Sequence, residues 1–99
     1  YAFHFTIYLS NILVLQLEKN NLEKSLLYYA DLEKTLSTSD NRMYEHAMLL
    51  FFKELIAVMQ HKEDTEKLTA ILQTFKLLDM ERIGNQCAGL LEIVRKNNA

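Results

Sequence analysis

Histidine, cysteine and carboxylate side chains are the groups through which proteins most often hold a metal or move a proton, and this chain has three histidines, one cysteine and thirteen acidic residues. Their spacing argues against both uses. His4, His46 and His61 fall on three separate stretches and are not helical neighbours of one another or of Cys87, so a metal site would need assembly wholly by tertiary structure. No metal and no cofactor is expected. The carboxylates alternate with lysines, as in Glu18-Lys19, Glu23-Lys24, Glu33-Lys34 and Glu66-Lys67, which is the ordinary pattern of a solvated helix face. The sequence contains no phosphate-cradling glycine loop, no HExxH pair, no nucleophile elbow and no paired-cysteine spacing. It does not read as an enzyme, and Cys87 reads most simply as a small buried apolar side chain.

Binding is better served. His4, Tyr8 and Asn11 stand at i, i+4 and i+7, so they share one face of a helix that is otherwise apolar. The segment 17–32 (LEKNNLEKSLLYYADL) reappears in outline as 60–75 (QHKEDTEKLTAILQTF), with Lys19 over Lys62, Glu23-Lys24 over Glu66-Lys67 and Leu32 over Phe75, an offset of 43. Carried back one helix, this offset puts Ala47, Phe51 and Glu54 on the face equivalent to His4, Tyr8 and Asn11, and two helices would then line one wall. An asparagine amide donates and accepts at once, so on such a wall it could pair with the backbone of an extended peptide while Tyr8 and Phe51 supply apolar contact. The alternative is that Asn11 bonds a neighbouring helix and both aromatics belong to the core.

Five helices are needed to position these groups. The first is expected over about 2–18, apolar nearly all round and therefore packed on several sides. Asn20 and Glu23 resemble a capping box that would start the second helix near Asn21, where Leu22, Leu26, Tyr29, Leu32 and Leu36 recur at helical spacing. Ser39 or Asp40 would cap a third helix over about 41–61, Asp64 a fourth and Asp79 a fifth. The fifth shows Ile83, Cys87, Leu90 and Val94 as one stripe, with Leu91 and Ile93 widening it, so Ile83, Leu90, Leu91 and Val94 could meet a second copy in a homodimer. Gly84 and Ala88, one turn apart, fit either a close backbone approach or a loosened first turn. The expected fold is all-α: stacked antiparallel helical hairpins in a single domain, a shape that buries one continuous core and leaves a concave wall for a partner.

Composition agrees. With no proline and two glycines the chain lacks the breakers of sheets and long loops. Eleven basic and thirteen acidic residues are evenly mixed and form no phosphate-neutralising stripe, so this segment is not expected to grip DNA itself. The longest apolar run, 47–52, is far short of the ~20 residues that cross a bilayer, and a single cysteine fits a reducing cytoplasm. The chain opens without methionine on an apolar helix, which reads as the C-terminal piece of a longer protein.

The order SNILVLQLEKNNLEKSLLYYADLEK, RMYEHAMLLFFKELIAVMQHKED and TEKLTAILQTFKLLDMERIGNQCAGLLEIVRK resembles the C-terminal end of Rgg/MutR-type transcriptional regulators, over nearly the whole chain. Members of that family have an N-terminal helix-turn-helix DNA-binding domain followed by a TPR-like helical repeat domain, which in several members receives a short secreted peptide re-imported into the cell. The resemblance implies that residues 1–99 form the distal part of a ligand-sensing and dimerising domain. DNA would be met only through an N-terminal domain absent from this chain. It further implies that Asn11 stands where such domains commonly place a ligand-contacting amide, and that Arg42 and Tyr44 match an arginine-x-tyrosine that often opens the following helix. The 43-residue offset exceeds the 34 of tight tetratricopeptide repeats, as in these degenerate arrays. A TPR-like adaptor with no link to DNA is the alternative.

Overall fold

The computed structural model describes residues 2–37 and 43–99, with side chains described for 7–37 and 44–99. Five α-helices follow one another: α1 (Ala2–Glu18), α2 (Leu22–Ser37), α3 (Met43–Met59), α4 (Thr65–Leu77) and α5 (Glu81–Asn97). The expected all-α stack of hairpins is observed. α1 pairs with α2 and α3 with α4, α2 packs on α3, and α5 lies against α3, α4 and the end of α1. Among the described residues no helix is long and apolar enough to cross a membrane.

The turns explain the helix ends. α1, α3 and α4 each stop at a non-glycine residue in the left-handed region, Asn20 at φ 58°, His61 at φ 60° and Asp79 at φ 58°. In each case the next residue's amide reaches back to close the last turn, Asn21 to the Gln16 carbonyl at 3.0 Å, Lys62 to Ala57 at 2.8 Å and Met80 to Phe75 at 2.9 Å. This satisfies carbonyls that a helix end otherwise leaves bare. Two expected caps therefore move. Asn20 is spent on ending α1, and its neighbour Asn21 caps α2 by accepting the Lys24 amide on Oδ1 at 3.0 Å. Asp79 likewise ends α4 and does not cap α5, whose first position follows Met80 with no side-chain cap. Asp64 caps α4 as expected, accepting the Lys67 amide at 3.1 Å. The caps expected at Ser39 or Asp40 lie outside the described residues.

These turns also expose a change of register. The left-handed residues Asn20 and His61 are 41 positions apart, whereas the caps Asn21 and Asp64 are 43 apart. The second turn is two residues longer than the first. α2 and α4 keep the offset of 43, with Leu32 over Phe75 in the core at 1% and 0% exposure. α1 and α3 are related by 41, which rotates the α3 residues facing any given direction.

The core runs through all five helices. Leu9, Leu13 and Leu17 of α1 meet Leu32 and Leu36 of α2; Phe51, Phe52 and Leu55 of α3 lie at its centre; Leu68, Ile71 and Phe75 come from α4 and Cys87, Leu90, Leu91 and Val94 from α5. Burying each of the large side chains contributes about 1.5–3 kcal/mol. Ser25 is fully buried in α2, with its hydroxyl unpartnered, where the repeat sets Leu68 in α4. At Gly84 an added Cβ would stand 3.5 Å from Phe75 Cβ, an ordinary contact, so the close backbone approach that this glycine suggested is not required.

The end of α5 fastens the stack. Arg95 donates from Nε and from an Nη to the two oxygens of Glu63, at 2.8 and 3.2 Å, gripping the α3–α4 turn. Asn97 Nδ2 donates to the Glu18 carbonyl at 3.3 Å and Asn98 Nδ2 to Asn20 Oδ1 at 2.9 Å, gripping the α1–α2 turn. The odd-numbered helices are joined at their C-terminal ends.

Candidate functional site

Away from those joined ends, α1, α3 and α5 leave a groove along the middle of α1 and the N-terminal halves of α3 and α5. It consists of two adjoining depressions of about 250 Å³ each, sharing Asn11, Val14, Met48, Phe52 and Gln86. The floor is apolar, made by Val14, Met48 and Phe52, extended by Leu32 and Leu36 at one end and by Ile83, Cys87 and Leu90 at the other. Polar atoms sit on the walls: Ser10 and Asn11 from α1, Tyr44 and Glu45 from α3, Gln86 from α5. Apolar floor with a few polar groups at the rim is the usual make-up of a ligand groove.

The residues singled out from the sequence are dispersed differently from the expectation. Asn11 and Tyr44 both line the groove, Asn11 exposed and Tyr44 half-buried with its ring 6.4 Å from and at 66° to that of Phe75. Burial, then the neighbouring Cys87 and Glu45, push the Tyr44 phenol above its ordinary pKa. Phe51 is fully buried and edges the floor of the second depression, tilted against Phe52 at 6.2 Å. Tyr8 is 61% exposed and lines neither depression. Ala47 is a core residue. The side chain of His4 and the whole of Arg42 lie outside the described residues.

Glu54 belongs to another surface. It is buried between α2 and α3 beside Leu26, Tyr29 and Gln60, where with Glu33 it adds to the burial that pushes the Tyr29 phenol up to about 12. The error is one of register. At the true offset of 41, Asn11 corresponds to Phe52 and not to Glu54, and Phe52 is indeed the groove residue. The two extra residues in the second turn displaced the equivalence by more than half a helical turn.

The α5 stripe also needs correcting. Leu90 at 9%, Leu91 at 5% and Val94 at 0% exposure are in the core of this chain, and Ile83 is half-buried against it. A twin could not reach the three leucine and valine side chains without opening the fold, because α1, α3 and α4 already surround that face. Ile93, at 41% exposure, is the apolar residue α5 does present to solvent. Burial pushes the Cys87 thiol up to about 12, leaving it a packing residue with little thiolate.

Besides Phe52, several groove residues escaped the sequence reading, among them Gln86, Met48 and Glu45. Gln86 is a polar residue flanking the α5 stripe, three positions from Ile83 and four from Leu90, and that adjacency was the available signal. Met48 lies within a mostly apolar helix, and Glu45 is an acid in the first turn of α3, where the helix dipole favours one, so neither stands out by type. A larger depression of about 560 Å³ lies on the outside of α4 and α5, lined by Lys76, Asp79, Glu81 and Asn85 around Gly84 and Ala88. Its mixed charges make it a wet surface dip rather than a rival site.

No curated protein and no solved structure matches the chain. A family model does: that of the HTH-type transcriptional regulator Rgg, C-terminal domain, which matches residues 3–89 and so takes in nearly all of α1, the whole of α2, α3 and α4, and the first half of α5. The chain belongs to the Rgg family of transcriptional regulators, as a C-terminal domain of that family.

Proposed function

We propose that this domain receives a short, largely apolar peptide in the groove between α1, α3 and α5 and thereby controls a tethered helix-turn-helix DNA-binding domain in the cytoplasm. The observation that carries the reading is the groove itself: an apolar floor of Val14, Met48 and Phe52 between two amide side chains, Asn11 and Gln86, that make no hydrogen bond among the described residues. An amide on each wall can pair with the backbone of an extended chain while the floor takes its apolar side chains. Membership in a regulator family favours this over an adaptor without DNA-linked function.

Control would follow from differential binding. A peptide that fits one spacing of α1, α3 and α5 better than another shifts the population toward that spacing, and a preference of about 5.5 kcal/mol is enough to invert it from 1:99 to 99:1. We further propose that the regulator works as a homodimer. Light scattering at tens of micromolar reads the oligomeric state, and a monomeric intact protein overturns that part.

Isothermal titration with short apolar peptides tests the binding. Heat is expected, with Asn11→Ala and Gln86→Ala each weakening it roughly five- to tenfold, as loss of a hydrogen bond of about 1 kcal/mol does. No heat, together with unaltered operator binding by the intact regulator, removes the proposal.

A further inference from the structure

Among the described residues Glu54 is the one charged side chain that is buried, 7% exposed in the second half of α3. It accepts no hydrogen bond there and makes no ion pair. Burial of a carboxylate is costly unless donors replace the water it loses. The oxygens of Glu54 are nevertheless not sealed, and the residue lines a depression of about 260 Å³ between α2 and α3, so the carboxylate keeps a narrow opening onto that depression. The donors around it are spent or turned outward. Tyr29 gives its single phenol hydrogen to Glu33 Oε2 at 3.4 Å, while Lys53 and Gln60 stand exposed on the rim, Lys53 in no ion pair. Leu26, Ile56 and Ala57 make the other walls apolar.

We propose that this depression binds an aliphatic ammonium ion, its head on the Glu54 carboxylate and its hydrocarbon stem along Leu26, Ile56 and Ala57. An ammonium is a compact donor of three hydrogens, and it enters a narrow opening that the flat guanidinium fork does not match. The ion is either a free alkyl amine or the side chain of a lysine on another molecule; both present the same head and stem. The depression shares no residue with the groove, so the proposal does not depend on what the groove receives. An occupant would touch α2 and α3 together and so tie the first hairpin to the second.

Amide shifts in NMR titrations of the 99-residue chain with n-pentylammonium, at constant ionic strength, test this. Saturable shifts are expected around Leu26, Tyr29, Glu54 and Ala57, with 1-pentanol binding at least about tenfold more weakly, because charged hydrogen bonds are about twice as strong as neutral ones. Glu54→Gln should weaken the amine by about tenfold as well, and Glu92→Gln, an exposed carboxylate on α5, should leave it unchanged. The amine should raise the melting temperature of the parent chain and not that of Glu54→Gln. Comparison with Nα-acetyl-lysine N-methylamide separates the sources: tighter binding of the lysine derivative identifies a lysine side chain, tighter binding of n-pentylammonium a free amine. The inference is overturned by 1-pentanol binding as well as the amine, by undiminished binding to Glu54→Gln, or by unsaturable shifts spread over exposed carboxylates. Without amine, Glu54→Gln should melt at or above the parent temperature; a lower one would show that the carboxylate is already paired, and would also overturn it. None of these outcomes touches the proposed function, whose test reads the groove.

Discussion

α1 and α3 are equivalent helices of successive hairpins, yet the same face is bare in one and covered in the other. At the offset of 41, Tyr8, Asn11 and Leu15 correspond to Leu49, Phe52 and Ile56; the first three are exposed, Tyr8 and Leu15 by 61% and 47%, and the second three are buried, at 9%, 1% and 5%. The difference is position in the stack. α3 has α2 packed against it, whereas among the described residues nothing covers this face of α1. A repeat thus fixes how a helix is shaped and which way it turns, but the neighbour on each side decides what each residue experiences. Asn11 is a polar residue at a position that is core one hairpin later, and this is what puts an unpaired amide at the groove.

The comparison can be broken most decisively at its central pair. Phe52→Ala should destabilise the chain by about 3–5 kcal/mol in urea unfolding, while Asn11→Ala should cost under ~0.5 kcal/mol. Equal effects would mean that α1 is covered. The next pair sharpens it: Ile56→Ala should cost about 2–5 kcal/mol and Leu15→Ala under ~1 kcal/mol, read from the shift in midpoint at constant slope. Between α2 and α4 the contrast runs the same way although both positions are buried. Ser25→Ala should be neutral or stabilising by up to about 1 kcal/mol, since it removes an unpartnered buried hydroxyl, whereas its counterpart Leu68→Ala opens a cavity.

The smallest effect distinguishes the two turns. The α1–α2 turn is held to α5 by uncharged bonds and the α3–α4 turn by Glu63 and Arg95. The hydrogen bond from Arg95, and then its charge, hold the Glu63 carboxyl below the usual carboxylate range. Its contribution is therefore present above the ordinary carboxylate pKa and lost as pH falls through the lowered folded value. The pair is largely exposed, so Arg95→Ala should cost less than ~1 kcal/mol near pH 7, and this difference from the parent should shrink in melts as the pH is taken below the ordinary carboxylate range. Asn98→Ala should show no such pH dependence.

Much of the architecture was legible because several local signals agreed. Asp64, the apolar stripe from Leu68 to Phe75 and the absence of proline all specify hairpins of helices. The groove was only partly legible. Asn11 could be picked from type and spacing and Tyr44 from the family resemblance, but the partner of Asn11 depended on counting turn residues between α3 and α4, where two additional ones leave helical periodicity undisturbed and shift every equivalence. Leu90, Leu91 and Val94 illustrate a second limit. An apolar stripe reports that a face is covered and is silent about whether its own chain or another supplies the cover.

The fastening of α5 to both turns has a mechanical corollary. With Arg95, Asn97 and Asn98 acting as a pivot at one extremity, a guest wedged near Asn11, Met48 and Gln86 would push between that pivot and the free ends of the rods. Small spreading at that mouth becomes angular rotation of whole rods about the knot, so the outer ends of the first and third helices swing furthest.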